Sequence, residues 1–142
     1  THPGLQLLSS DDHWVETPPV NDCFTILVGD CLEAWTGGYL KATQHRVVNR
    51  GIERFSLPFF FSVDYDCEVI PQSPFDTAEA MAAYPAFKAG EHLYSRTITV
   101  FPYLRNLVDQ GKLTINFEIK EESPFKRLSV EERALLENTA QG

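Results

Sequence analysis

Lys41-Ala42-Thr43-Gln44-His45-Arg46-Val47-Val48 and Arg54-Phe55-Ser56-Leu57-Pro58-Phe59-Phe60-Phe61 are two strand-like runs separated by the turn Asn49-Arg50-Gly51-Ile52-Glu53. Branched and aromatic side chains favour a pleated surface, and a five-residue turn with a glycine suits an antiparallel return, so the pair is expected to form a hairpin. Side chains alternate faces along a strand. Thr43, His45 and Val47 therefore share one side of the first run, and Arg54, Ser56, Pro58 and Phe60 one side of the second. With those sides facing the same way, His45, Arg54 and Ser56 project into one hollow that Val47 and Phe60 wall with apolar surface, as a small-molecule pocket requires. A guanidinium grips a carboxylate at two points, and a hydroxyl two residues on adds a third hydrogen bond from the same direction. Arg54 and Ser56 are the expected carboxylate anchors.

Outward from this hairpin, residues 5–8, 14–16 and 24–28 also read as strands, punctuated by Ser9-Ser10-Asp11-Asp12, Pro18-Pro19, Asn21-Asp22 and Gly29-Asp30. Turn signals at this cadence predict an antiparallel sandwich or barrel over about residues 4–70. Residues 78–83 and 89–108 are richer in helix formers, and Ser129-Val130-Glu131-Glu132 places a capping box before Ala134-Leu135-Leu136. A helical region over about 75–142 is expected to pack on the sheet or trail from it, with Pro71, Pro74, Pro85, Pro102 and Pro124 cutting it into short pieces. Nothing in the 142 residues repeats, and one domain is expected.

Composition narrows the function classes. Twenty acids against twelve bases give a net charge of −8, which repels polyanions and anionic bilayers, so neither nucleic acid nor membrane is an expected partner. No run approaches a bilayer-spanning length. Against that background the segment from Lys41 to Ser56 carries four bases, Lys41, Arg46, Arg50 and Arg54, and one acid, Glu53, a local +3 that would draw an anion. Cys23, Cys31 and Cys67 form no C-x-x-C pair and read as buried free thiols of a reducing compartment, the cytoplasm. Thr1-His2-Pro3 opens neither a basic nor an apolar stretch, so any targeting segment is expected to lie outside these residues. Taken singly, each feature has a plainer reading: His45 as a hydrogen-bonded core residue, the arginines as solvated or paired with Glu53, Gly29-Asp30 as a turn, Trp14 and Trp35 as core.

Jointly they carry a resemblance. Gly4-Leu5-Gln6, Trp14-Val15, Gly29-Asp30-Cys31-Leu32-Glu33-Ala34-Trp35-Thr36, Tyr39-Leu40-Lys41-Ala42-Thr43, His45-Arg46-Val47-Val48, Arg54 to Phe61 and, more loosely, Ala89-Gly90-Glu91-His92-Leu93-Tyr94-Ser95-Arg96 follow one another over about two thirds of the chain. In that order and spacing they resemble the isopenicillin-N-synthase-like family of 2-oxoglutarate- and Fe(II)-dependent dioxygenases. The resemblance implies a distorted double-stranded β-helix, a jelly roll, in which a facial triad of two histidines and one carboxylate holds iron and leaves room for 2-oxoglutarate and O2. It assigns His45 to iron, Arg54 and Ser56 to the far carboxylate of the 2-oxoglutarate cosubstrate, and Val47 and Phe60 to the substrate pocket. The implied reaction couples decarboxylation of 2-oxoglutarate to O2-dependent oxidation of a small organic substrate; hydroxylation, desaturation and ring closure share these residues.

The family's other two iron ligands form an H-x-D pair on a strand before Gly4-Leu5-Gln6. His2, His13, His45 and His92 are all followed by other residues. One imidazole does not define an iron site, so this chain by itself is expected to lack oxygenase activity. It reads as the C-terminal portion of one oxygenase domain, an incomplete jelly roll with C-terminal helices, either from a longer enzyme or a truncated relative. A missing N-terminal region or another chain would complete the barrel, whose open edges otherwise favour association. Two further readings remain open: a non-catalytic carboxylate-binding or interaction module that keeps Arg54 and Ser56 without iron, and a cupin-like metalloprotein that recruits His13 with Asp11 or Asp12.

Overall fold

The computed structural model describes residues 2–120 and Phe125; the expected capping box at Ser129 lies outside them. Two compact units emerge, residues 2–33 and 40–60 in one, residues 34–39 and 61–120 with Phe125 in the other.

The first unit is built on β1 (Leu5–Leu8), the central strand of a three-stranded antiparallel sheet with order β2-β1-β3, where β2 is Trp14–Thr17 and β3 is His45–Val47. The turn joining β1 to β2 closes because Asp12 takes a left-handed φ of 60° and Ser9 and His13 pair through their backbones at 2.9 Å. Aspartate tolerates that conformation better than most side chains. Leu5 pairs with Thr17 and Val47, Gln6 with Glu16 and Arg46, Leu7 with Val15 and His45. Alternation then puts Leu5, Leu7, Val15, Thr17, His45 and Val47 on one face and Gln6, Trp14, Glu16 and Arg46 on the other. The second face is knitted by polar contacts: Arg46 Nε donates to Gln6 Oε1 at 2.8 Å and its guanidinium lies 4.1 Å from the Trp14 ring centre, so Trp14 is a surface platform rather than core.

Two expected strands are not formed. Residues 24–28 have no ladder, and the run 54–61 does not return on 41–48, of which only His45–Val47 is strand. The central strand β1 already has a partner on each side, the edge strand β3 offers only three residues, and Pro58 has no N–H to give a ladder. Phe55, Leu57, Phe59, Phe60 and Phe61 consequently stand 84–94% exposed. Gly29-Asp30 is more than a turn, since it opens the helix α1 (Asp30–Trp35) with Asp30 and Glu33 in its first turn.

In the second unit β4 (Glu68–Val69) pairs antiparallel with β5 (Phe87–Lys88). Between them lies α2 (Ala78–Ala83), whose N-cap Thr77 accepts a hydrogen bond from Ala80 N. The helical stretch 89–108 is cut at Pro102, as expected, into two helices, α3 (Ala89–Val100) and α4 (Pro102–Asp109). Proline bars helical geometry in the residue before it, and Phe101 is accordingly extended, at φ −108° and ψ 98°. The start of α3 is tied down by two hydrogen bonds of 2.9 Å, from Ala89 N to the Cys67 carbonyl and from Gly90 N to the Tyr65 carbonyl. The Tyr65 ring fills the space where a Cβ on Gly90 would stand. Val69, Ile98, Tyr84, Ala89 and Phe125 are buried, with the Phe125 ring 4.7 Å from that of Tyr84. The three cysteines are free thiols, but not the buried ones expected: Cys23 is exposed, beside the unpaired run 24–28, and Cys31 and Cys67 are half-buried. Among the described residues no helix is long and apolar enough to cross a membrane.

Candidate functional site

Strand β1 is the ruler of the site. Its Leu7 pairs with His45, and Gly4, immediately before the strand, accepts the Val48 N–H at 2.8 Å. Gly4 adopts φ +156°, and a Cβ built there would come within 2.9 Å of Arg54 Nη1 and 3.1 Å of the Val48 carbonyl oxygen. The absent side chain is what lets the Arg54 guanidinium lie against the backbone. His45 and Arg54 are thus both referenced to β1, at residues three apart, about 10 Å along a strand that rises about 3.4 Å per residue.

Arg54 is half-buried, and its Nε is buried with no hydrogen-bond partner among the described residues. Buried donors without acceptors are rare and costly. The rest of the basic island is already engaged. Arg50 donates to both Glu16 carboxylate oxygens at 2.8 and 2.9 Å, Arg46 has Gln6 and Trp14, and Lys41 Nζ lies 3.6 Å from Glu33. The expected pairing of an arginine with Glu53 gives way to Glu16 across the sheet.

His45 is exposed on β3, and its Nδ1 lies 3.1 Å from the Thr43 carbonyl oxygen. A carbonyl only accepts, so Nδ1 carries the proton and Nε2 of the neutral ring presents a lone pair, the form that ligates metals. Thr43 in turn belongs to a segment pinned on both sides: Glu33 Oε2 accepts the Ala42 N–H at 2.8 Å, and the Gln44 carbonyl accepts the Leu8 N–H at 2.8 Å.

Val47 shares the face of His45 and is exposed. Ser56 and Phe60 lie in the exposed run after Arg54, outside any strand. The structure therefore brings His45 together with Val47, Leu5 and Leu7, and Arg54 with Gly4 and Val48, while the hollow expected between two paired strands is not built from a hairpin. His13, the alternative ligand, donates from Nδ1 to the Asp11 carbonyl at 2.7 Å in an exposed turn, and the Ser9 hydroxyl bound to Asp11 holds that carboxyl below its ordinary range. Among the described residues no three histidine, cysteine or acidic side chains are grouped to hold a metal ion. A cavity of about 260 Å³ in the second unit, with Glu68, Lys88, Glu91 and His92 in its wall, contains none of the candidate residues. Gly4 and Glu33 were not singled out by sequence; the signal for Gly4 is a glycine directly before the first strand, and for Glu33 only its place in a short acidic helix start.

The sequence profile of the 2OG-Fe(II) oxygenase superfamily matches residues 1–63. The chain is 45% identical over 78 residues, 54% of its length, to the 2-oxoglutarate-dependent dioxygenase traH of Penicillium crustosum, of which it covers 24%. It is 38% identical over 90 residues, 63% of its length, to gibberellin 2-beta-dioxygenase 5 of Oryza sativa subsp. japonica, of which it covers 26%. Among solved structures it resembles a 2OG-Fe(II) oxygenase family protein from Caulobacter crescentus, with a TM-score of 0.60 at 36% identity, over 70% of this chain and 34% of that one. The chain spans about a quarter of the length of these curated relatives.

Proposed function

We propose, from its similarity to the 2OG-Fe(II) oxygenase superfamily, that this chain forms part of a non-haem iron enzyme coupling oxidative decarboxylation of 2-oxoglutarate to O2-dependent oxidation of a small organic substrate. The observation that carries the reading is the buried, unpartnered Nε of Arg54 beside Gly4. A carboxylate is the acceptor that a guanidinium fork fits best. In this reading Arg54 donates to the far carboxylate of 2-oxoglutarate, Ser56 adds its hydroxyl, and His45 offers Nε2 to Fe(II). The apolar side chains of Leu5, Leu7, Val15 and Val47 lie on the His45 face. The three antiparallel strands would be one part of a double-stranded β-helix.

The described residues fit the cosubstrate better than the metal. They offer one poised imidazole and no group of three, so the remaining iron donors belong, in this proposal, to residues beyond those described or to another chain. Fe(II), once bound, supplies the activation of O2; the protein supplies binding, orientation and exclusion of water.

Titration of the complete protein, anaerobically and by calorimetry, tests this. Arg54→Ala is expected to weaken 2-oxoglutarate binding at least a hundredfold with Fe(II) affinity within a few-fold, and His45→Ala to abolish Fe(II) binding. Equal loss of both ligands in Arg54→Ala contradicts the assignment. Binding of 2-oxoglutarate in the complete absence of Fe(II), with no iron uptake, would favour the carboxylate-binding module.

A further inference from the structure

We propose that residues 114–120 form a strap latched to α3 by the Ser95 hydroxyl, and that release of this latch opens the cavity of the second unit. The segment Thr114-Ile115-Asn116-Phe117-Glu118-Ile119-Lys120 alternates polar and apolar residues, with Ile115, Phe117 and Ile119 half-buried and the residues between them exposed. Such alternation marks a half-buried strand. The segment nevertheless joins no sheet, and residues 114–119 make no hydrogen bond to other described residues. A stretch whose backbone is left to water is among the first parts of a fold to open locally.

Both ends are anchored. The Lys112 and Leu113 N–H groups donate to the Leu107 carbonyl of α4 at 2.8 and 3.0 Å, and Phe125 is buried with its ring 4.7 Å from that of Tyr84. Between these anchors the strap is fixed at Lys120, whose N–H donates to Ser95 Oγ at 2.6 Å and whose carbonyl accepts the Ser95 hydroxyl at 2.9 Å. A hydroxyl within a helix ordinarily folds back on the carbonyl four residues earlier. Thr97 and Thr99 of α3 do so, onto Leu93 and Ser95, at 2.8 and 2.9 Å. Ser95, only 3% exposed, instead reaches out of the helix to close on both backbone groups of Lys120. Ser95, Glu118 and Lys120 all line the cavity of about 260 Å³, and Glu68, Lys88 and Glu91 add charge of both signs to its wall. The solute that the strap admits or retains is therefore small and polar.

Two variants of the complete protein test the latch. Ser95→Ala removes both hydrogen bonds, and Lys120→Pro removes the donated one at an exposed position without touching α3. Amide exchange reads the latch at Lys120, with the buried Ile98 amide of α3 as the reference. A soluble gadolinium chelate reads the opening, through relaxation of the Phe87 and His92 ring protons, whose rings lie 5.0 Å apart in the cavity wall. In Ser95→Ala, Lys120 exchange is expected to rise about 10- to 100-fold, as the loss of two hydrogen bonds implies, with Ile98 unchanged. In both variants the ring protons become more accessible to the chelate. Unchanged Lys120 exchange, acceleration of Ile98 equal to that of Lys120, or rings no more accessible once the latch is cut each overturns the proposal. Should Ser95→Ala not fold, Lys120→Pro decides alone: accessible rings with Ile98 still protected support the latch, and shielded rings overturn it. None of these measurements needs iron or 2-oxoglutarate, so their outcome leaves the oxygenase reading where it stands.

Discussion

Arg54→Met should move two quantities in opposite directions. Methionine keeps much of the length of the arginine stem and removes the guanidinium. In the unliganded protein the substitution eliminates a buried N–H without a partner, a group whose burial costs about 1–3 kcal/mol. Lost packing of the guanidinium beside Gly4 offsets part of that gain, so unliganded stability is expected to be unchanged or higher by about 1 kcal/mol. With 2-oxoglutarate the balance reverses. The two hydrogen bonds proposed from Arg54 to the 2-oxoglutarate carboxylate, each worth about 1.5–3 kcal/mol, would be lost, which is expected to raise the dissociation constant about a hundredfold or more. At a ligand concentration near a hundred times the wild-type constant, binding stabilises the wild type by about 2.7 kcal/mol and the variant by only about 0.4 kcal/mol. Thermal denaturation of the complete protein under anaerobic Fe(II), with and without 2-oxoglutarate, reads both numbers. A variant that unfolds earlier without ligand, as a core truncation does, and yet keeps the full ligand-induced shift would refute the reasoning.

Gly4→Ala is expected to cost about 1–3 kcal/mol through its φ of +156° and to push on Arg54 Nη1, 2.9 Å from the new methyl; urea denaturation gives the first effect, and the loss of 2-oxoglutarate affinity should vanish when measured on an Arg54→Met background. Gly90→Ala gains about 1 kcal/mol of helix propensity but drives the Tyr65 ring off α3, so net destabilisation is expected, with the sign reversing to stabilisation on a Tyr65→Ala background in the same denaturation assay. The Asp11 carboxyl lies below its ordinary value of 3.8, chiefly through the Ser9 hydroxyl. Its contribution is therefore complete above pH 3.8 and is lost as the pH falls through the folded-state value; Ser9→Ala should return the carboxyl toward 3.8 in an NMR titration and flatten the acid limb of stability.

What the sequence disclosed depended on how local the deciding interaction is. Leu5–Leu8 and Ala78–Ala83 were legible to the residue, because alternation with Ser9-Ser10-Asp11-Asp12 behind it marks the first and Thr77 caps the second. The break between α3 and α4 was also legible in Pro102, although helix propensity on either side obscured it. The run 54–61 was not, since its β propensity is real but a strand also needs a neighbour, and this run makes no ladder with β3 or β2. Two-residue strands such as Glu68–Val69 and Phe87–Lys88 carry no periodicity to detect. At the site, the common face of His45 and Val47 followed from alternation, whereas the contact of Arg54 with Gly4 joins positions fifty residues apart and leaves no local signal.

Pro58 has a consequence for the life of the chain before it is finished. Phe55, Leu57 and Phe59 to Phe61 are bare to solvent, and short stretches this rich in aromatics and poor in charge are the raw material of cross-β stacking. A proline in their midst interrupts every intermolecular ladder that would start there, in the manner of the gatekeeper residues that flank aggregation-prone segments. The same missing N–H that removes a ladder hydrogen bond within the chain is expected to disfavour pairing of the run with its copies during synthesis.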